Sequence, residues 1–389
     1  MQSIKKFPKP VKLKIYGDYW DSQIYNGKLY LWTMEGTIKI INWDTLIASL
    51  TENPEINFAL KVAFNNGLSR DVNQIKLMEV LSDLSREDFI ITENELNLYL
   101  DQEINMPLGE HPIDVDIFDG YIYCILDSGL WRFMLDDINK PKFSKEKLWD
   151  CFLLSLKIRQ GGRISLSAGH EGLFEYNFKY KFFQMEELTR VDSKGIFQIS
   201  SDHSLFTNWS YSSIYNSSDI GKSFLAGFTW DDKKKIKYKG NFYSDKIFKD
   251  SNPGHLSWGS GDKIYRAKTN GLDVIRFTQN GLNKGENAAF SEVISYDFHP
   301  WKGRIIGAGA TFFGTIIECE NALVILQSNE KFYNIRGPIT NWRVFNHSNN
   351  YENQLHILKD DNLEVYSFIN QAQGAFGVRK RWKRNNWIY

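Results

Sequence analysis

Cysteine is scarce in this chain: only Cys124, Cys151 and Cys319 occur in 389 residues. So few, and an odd number, cannot make a disulfide scaffold, and they fit a reducing compartment. Charge of one sign is not in excess, with 47 Lys+Arg against 47 Asp+Glu. That balance excludes a globally basic nucleic-acid coat and an acidic disordered chain. No apolar run approaches the roughly 18 residues of a membrane span. The stretch from Met1 to Pro10 is positive but has no apolar segment behind it, so it does not read as a signal peptide. A cytoplasmic chain without membrane contact is expected. Catalytic signatures are missing too: there is no GxxxxGK[ST], GxSxG, HExxH or EF-hand loop, and the cysteines are too widely spaced for a CxxC clip. No catalytic residue, metal ligand or cofactor is assigned.

What the chain does have is core material, 42% hydrophobic and 15% aromatic, arranged in a recurring phrase. A turn residue, usually Gly or Asn, precedes a short run of alternating apolar character. The phrase stands at Gly36–Ile40, Gly129–Phe133, Gly172–Tyr176, Gly271–Ile275, Asn321–Ile325 and Asn362–Tyr366. Each reads as a period-2 strand entered through a tight turn, where Gly and Asn tolerate positive φ. Neighbouring copies lie roughly 40–50 residues apart, the interval of a propeller blade. Double that interval separates Gly172 from Gly271, with a weaker copy, Ser217–Phe224, between them.

Partner strands precede several copies, as in Gly120–Ile125 and Lys263–Arg266. Paired short strands in repeated units predict a ring of sheets, since one such sheet cannot bury both faces alone. The helical pattern is mostly confined to Asp71–Leu84, where Leu77, Val80, Leu81 and Leu84 form an i, i+3, i+4, i+7 stripe and Asp71 offers an N-cap. It falls in the long gap between the first two copies. It is read as a helical insertion over 46–110, with an additional blade using Glu95–Leu100 as the alternative. An insertion of this kind suits binding on one rim or a passive cap.

These patterns resemble the β-propeller superfamily over most of residues 12–370. Gly36-Thr-Ile-Lys-Ile-Ile-Asn-Trp-Asp44 is similar to the third strand of a WD-repeat blade, ending in its Trp-Asp pair. Trp-Asp recurs at Trp20-Asp21, Trp149-Asp150 and Trp230-Asp231 without regular spacing, and Gly-His occurs only at Gly169-His170 and Gly254-His255. Ser217-x-Asp219-x-Gly221-x-Ser223-Phe224 is similar to the Asp-box turn of sialidase-like propellers. The resemblance implies an all-β, about seven-bladed propeller with divergent blades, and assigns no subfamily. Residues 1–389 are read as one propeller domain. Two consecutive β-sandwiches would share the alternation but not the repeat interval.

Four features are candidates for function. In His111-Pro-Ile-Asp-Val-Asp-Ile-Phe-Asp119, Asp114 and Asp116 share a strand face, which suits a metal or general-base cluster or, more blandly, a solvated edge. The seven histidines, from His111 to His356, fall near blade junctions without metal-ligand spacing. Trp209, Tyr211 and Tyr215 share parity among small hydroxyl residues, a binding-surface composition whose competitor is an inter-blade core. The tail over 375–389 carries Arg379, Lys380, Arg381, Trp382, Lys383 and Arg384, a basic aromatic segment able to hold phosphates or an acidic partner, or simply to be solvated.

The leading expectation is a non-enzymatic interaction scaffold that binds a partner protein through a rim surface, the insertion or the tail. A propeller enzyme or small-ligand or metal binder at the axial mouth is one alternative. Nucleic-acid binding through the tail is another.

Overall fold

The structure is a computed structural model that describes residues 9–65, 74–135, 144–159, 161–178, 188–191, 195–230, 236–250, 256–284, 289–328, 331–346, 348 and 350–368. The strands form seven sheets of four or five strands each. In blade 1 the order from the axis outward is Tyr19–Tyr25, Lys28–Thr33, Thr37–Asn42 and Leu100–Asn105. The innermost strands of blades 2 to 7 are Asp114–Phe118, Ser155–Arg159, Phe206–Ser210, Leu256–Ser260, Ile305–Ala310 and Asn341–Val344. The chain is a seven-bladed β-propeller.

Each of the seven recurring phrases is, or leads into, the third strand of one blade. The recurrence has a steric cause. A Cβ on Gly129 would run into the carbonyl oxygen of Trp149, and one on Gly172 into that of Ser200. In both cases the obstacle lies where the chain has come back past the third strand, so the turn needs a residue without a side chain. Both glycines also sit at positive φ, 118° and 105°. The blade repeats its glycine because its backbone repeats its crowding.

The buried apolar side chains gather into seven clusters, each shared by two neighbouring blades. Tyr30 and Trp32 of blade 1 meet Ile122 and Cys124 of blade 2. Trp258 and Tyr265 of blade 5 meet Ala308 and Ile317 of blade 6. Every sheet therefore lies between two neighbours in the ring and buries both faces.

The ring is closed by the strand Val11–Tyr16, which runs antiparallel to Asn362–Ser367 of blade 7. A second strand, Asp88–Ile91, pairs parallel with its other edge, so the closing strand is held from both sides. Asp88–Ile91 comes from the helical excursion that follows Thr37–Asn42 and precedes blade 2: α1 (Trp43–Ser49), α2 (Pro54–Asn65), α3 (Gln74–Leu84) and α4 (Glu93–Asn97). The excursion leaves from the third strand of blade 1 and returns as its outer strand, Leu100–Asn105.

The strand that resembles a WD-repeat segment ends at Asn42, whose side chain caps α1 by accepting from the Thr45 amide at 3.0 Å. Trp43-Asp44 therefore opens a helix. The predicted stripe on α3 is apolar as expected: Leu81 and Leu84 are buried, with Leu77 and Val80 packed beside them, while Asp71 lies outside the described residues.

These helices lie across the closure seam. One apolar cluster joins Leu13 and Ile15 of the closing strand, Leu363 and Val365 of blade 7, Trp43 of α1 and Phe64 of α2. The last carbonyls of α2 are taken up by blade 7: Asn353 Nδ2 donates to Ala63 O at 2.7 Å, and Gln354 Nε2 donates to Phe64 O. Trp43 Nε1 reaches Phe64 O as well, at 3.2 Å. A helix C-terminus leaves carbonyls without partners, and blade 7 supplies them. The excursion works as a clamp over the seam.

Candidate functional site

All seven inner strands run the same way, so one face of the ring carries the start of each and the other carries the helical excursion α1 to α4. On the first, here the upper face, four large apolar side chains stand out around blades 1 to 3. Trp20 is 41% exposed, Met34 52%, Leu108 39% and Phe152 56%.

Local structure forces each outward. Tyr19 pairs with Thr33 and Asp21 with Trp32, leaving Trp20 as the extra residue of a β-bulge, and both its neighbours are buried. Met34 sits in the next turn, its amide bonded to Asp18 O at 3.1 Å. Leu108 holds φ +65° in the connection to blade 2, a conformation that costs a leucine about 1 kcal/mol or more. Phe152 precedes Leu153, which is fully buried and so turns its neighbour out.

Hydrogen bonds fix these loops to one another. Met106 N donates to Gly36 O at 2.8 Å, joining the Met34 turn to the Leu108 loop. The Trp20 indole donates to Pro112 O at 2.6 Å, and its ring rests 5.3 Å from that of His111. Side chains also stitch one inner strand to the next. Gln23 Nε2 donates to Val115 O at 2.8 Å, and Trp209 Nε1 to Lys157 O at 2.7 Å. The face is rigid.

Beneath it, charges from four blades converge. Arg343 of blade 7 grips Asp21 of blade 1 through Nε at 2.9 Å and Nη2 at 2.5 Å, while its Nη1 reaches Asp114 of blade 2 at 2.5 Å. Asp114 also accepts from the Leu156 amide at 2.9 Å and from Lys157 Nζ of blade 3 at 3.4 Å. Burial works against these charges. For Asp114, however, Lys157, Arg343 and the Leu156 amide outweigh it and hold the carboxyl below its ordinary range. The carboxylates, Asp21 first, likewise hold Arg343 above its ordinary value despite burial. Asp114 and Asp116 do share a face, as the strand pattern predicts, but it is no solvated edge: both carboxylates accept from backbone amides of the blade 3 inner strand.

Asp116 and His356 titrate in opposite senses. Burial, opposed by Lys157, pushes the Asp116 carboxyl up to about 6 from 3.8. His356 lies between Ser22 Oγ and Gln354 Oε1, each 3.1 Å away, and burial drives it down to about 3 from 6.5. As pH falls below 6.5 the unfolded chain gains a proton at His356 that the folded chain refuses, so stability is lost. As pH falls from about 6 towards 3.8 the folded chain gains one at Asp116 first, so stability rises. Each slope is at most about 1.4 kcal/mol per pH unit, so between about pH 4 and 6 the two offset each other. Asp116→Asn should uncover an acid loss starting near neutral pH, and His356→Gln should yield a protein that gains stability on acidification. Urea midpoints across this range test both, and an unaltered slope in either variant contradicts the assignment.

The sequence-predicted residues separate. Trp209 and Tyr215 are buried between blades, with Tyr215 OH donating to Ser257 Oγ at 2.9 Å. Tyr211 is half-buried in the next turn at φ +55°, against Phe277 at 5.9 Å. The shared parity is broken by that turn, and Trp209 and Tyr215 belong to inter-blade cores. Arg379, Lys380, Arg381, Trp382, Lys383 and Arg384 lie outside the described residues. His170 and His203 come within 5.1 Å of each other on the upper face, yet among the described residues no three His, Cys, Asp or Glu side chains are grouped to hold a metal ion. No described helix is long and apolar enough to cross a membrane.

Sequence reasoning missed Trp20, Met34, Leu108 and Phe152. Each is an ordinary apolar residue in the sequence, and only the bulge and the loops turn it outward.

No family model and no curated protein sequence matches the chain. Among solved structures, the chain is similar to the β-propeller domain of Cps50 (Swd1) from Myceliophteria thermophila, with a TM-score of 0.52 and 6% identity over 92% of this chain and 99% of that one. The Pan2 WD40 domain from Neurospora crassa aligns at a TM-score of 0.45 and 8% identity, covering 93% and 91%. The N-terminal domain of Nup159 aligns at 0.44 and 9%, covering 93% and 94%. At such identities the likeness extends to the fold alone.

Proposed function

We propose that this propeller is a non-enzymatic scaffold that engages a partner protein on its upper face around blades 1 to 3. The observation that carries the reading is the set of apolar side chains held outward there by a rigid frame. Exposed apolar groups gathered on one face mark interaction sites, and loops fixed in advance spare the complex an ordering cost. The insertion packs Leu60, Phe64 and Leu81 into the closure seam, yet it also leaves Ile90 and Leu98 exposed on the opposite face, a second surface open to a partner.

Capture from the source cell with the full chain, followed by mass identification, tests the reading. A specific partner retained by the wild type should be lost with Met34→Ser plus Phe152→Ser, while the circular dichroism of the variant stays unchanged. Equal retention by both proteins would move the site elsewhere.

A further inference from the structure

The proposed partner face has a charge character that the neutral composition conceals. Its connections on blades 7, 1, 2 and 3 contain no Lys or Arg at all. They do contain Asp18, Glu35, Asp127, Glu171, Asp360 and Asp361, all exposed. Among the described residues none of the six forms an ion pair, although Lys14 of the closing strand lies near enough to Asp361 to feel its charge. The cations of this face sit across the axis, on blades 4 to 6, at Lys222, Lys246, Lys249, Lys302 and Arg304.

The carboxylates frame the apolar groups. Asp18 and Glu35 flank Trp20 and Met34 along the chain. Glu171 bears on the Cys151 thiol, next to Phe152: burial raises that thiol's pKa first and the Glu171 charge adds to it.

We propose that the partner element seated on this half of the upper face is a basic protein segment carrying large apolar side chains. The inference rests on the scaffold reading above and adds the chemistry of the occupant. Six exposed carboxylates, none of them closed into an ion pair among the described residues, make a field that attracts Lys and Arg and speeds their encounter. Trp20, Met34 and Phe152 then require apolar contact, which a small cation or a bare polyamine cannot supply. The exposed indole can also take a cation on its ring face. A nucleic acid is disfavoured here, since its phosphates would meet carboxylates. The chain's own basic tail follows Phe368, which ends beside Asn353 on the opposite, helix-bearing face. The proposed occupant is therefore a segment of another protein, and the tail is one outcome of the test.

A short labelled peptide rich in lysine, with leucine and tryptophan among them, serves as the probe of the full chain by fluorescence anisotropy. It should bind, and replacing its lysines by glutamine should weaken binding about tenfold or more. Raising salt from about 50 to 300 mM should weaken it several-fold. Glu35→Lys with Asp127→Lys should cost at least about fivefold, whereas Phe332→Ser on a distant rim should cost nothing.

If the glutamine peptide binds as well as the lysine one, the basic-segment proposal fails while the scaffold site stands. If Met34→Ser plus Phe152→Ser leaves binding of the peptide untouched, the site itself fails. Self-association abolished by those same two changes would give the face to a second copy and overturn the proposal. Peptide binding that emerges only after removal of residues 375–389 would give it to the chain's own tail, with the same result.

Discussion

Arg343→Met should lower the stability of the folded chain by about 3–5 kcal/mol, the largest loss expected from any single side chain at the axis. The substitution keeps most of the volume and removes the charge. It leaves Asp21 and Asp114, both buried, facing one another without their shared cation. Two uncompensated carboxylates cannot be rehydrated inside the ring, so the cost is that of buried like charges and exceeds that of the missing hydrogen bonds.

The sign of the pH response identifies the cause. With Arg343 absent, both carboxyls would titrate upward. The deficit should therefore shrink as the buffer is taken from about pH 7 to about pH 4.5, where a proton replaces the guanidinium. Adding Asp21→Asn to Arg343→Met should recover part of the loss at neutral pH, and Arg343→Lys should fall between the two. Urea midpoints at both pH values decide the matter. A loss below about 1 kcal/mol would show that the axial cluster contributes little to stability. Because Asp21 follows Trp20 and Asp114 follows the His111 loop, the same variant should also weaken binding on the upper face.

A chain beginning at Gly17 should fail to hold a closed ring. The missing strand contributes Val11, Leu13 and Ile15, all fully buried, and fills the gap between blade 7 and Asp88–Ile91. Burial of three such side chains amounts to about 5 kcal/mol. Two unpaired strand edges add to the loss, so the deletion approaches the whole stability of an ordinary domain, about 5–15 kcal/mol. The exposed edges of Asn362–Ser367 and Asp88–Ile91 should also promote association. The expected outcome is a broad, low-midpoint unfolding transition with aggregation in sedimentation velocity. A peptide spanning residues 11–16, added in excess, should sharpen the transition and suppress the aggregates. A sharp wild-type-like transition without the peptide would mean that the helical clamp alone closes the ring.

Much of this architecture was legible in advance for a local reason. The third strand of each blade needs a turn residue that tolerates crowding or positive φ, followed by side chains packed on both sheet faces. Gly129, Gly172 and Gly271 announce that need wherever it recurs. The α3 stripe was legible too, since Leu77, Val80, Leu81 and Leu84 lie within one helix face.

For Trp209 and Tyr215 the sequence left a binding surface and an inter-blade core both open. Parity places side chains on a strand face but does not say whether a neighbouring sheet covers it, and Tyr211 had already left the strand for a turn. The candidate face was hidden for a related reason: exposure of Trp20 comes from a bulge defined against Thr33 and Trp32, and a sequence does not display register.

Strand periodicity and its punctuating glycines, contained within a few residues, determined a ring of about seven blades of paired short strands. Long-range meetings belong to the tertiary structure alone. Arg343 lies 322 positions from Asp21 and 229 from Asp114, and they join only because the ring brings its last blade against its first. The even balance of 47 cations and 47 anions likewise became an acidic half-face only once folding had sorted which loops share a side. Charges act through space, and the chain order leaves that distance open until the ring closes.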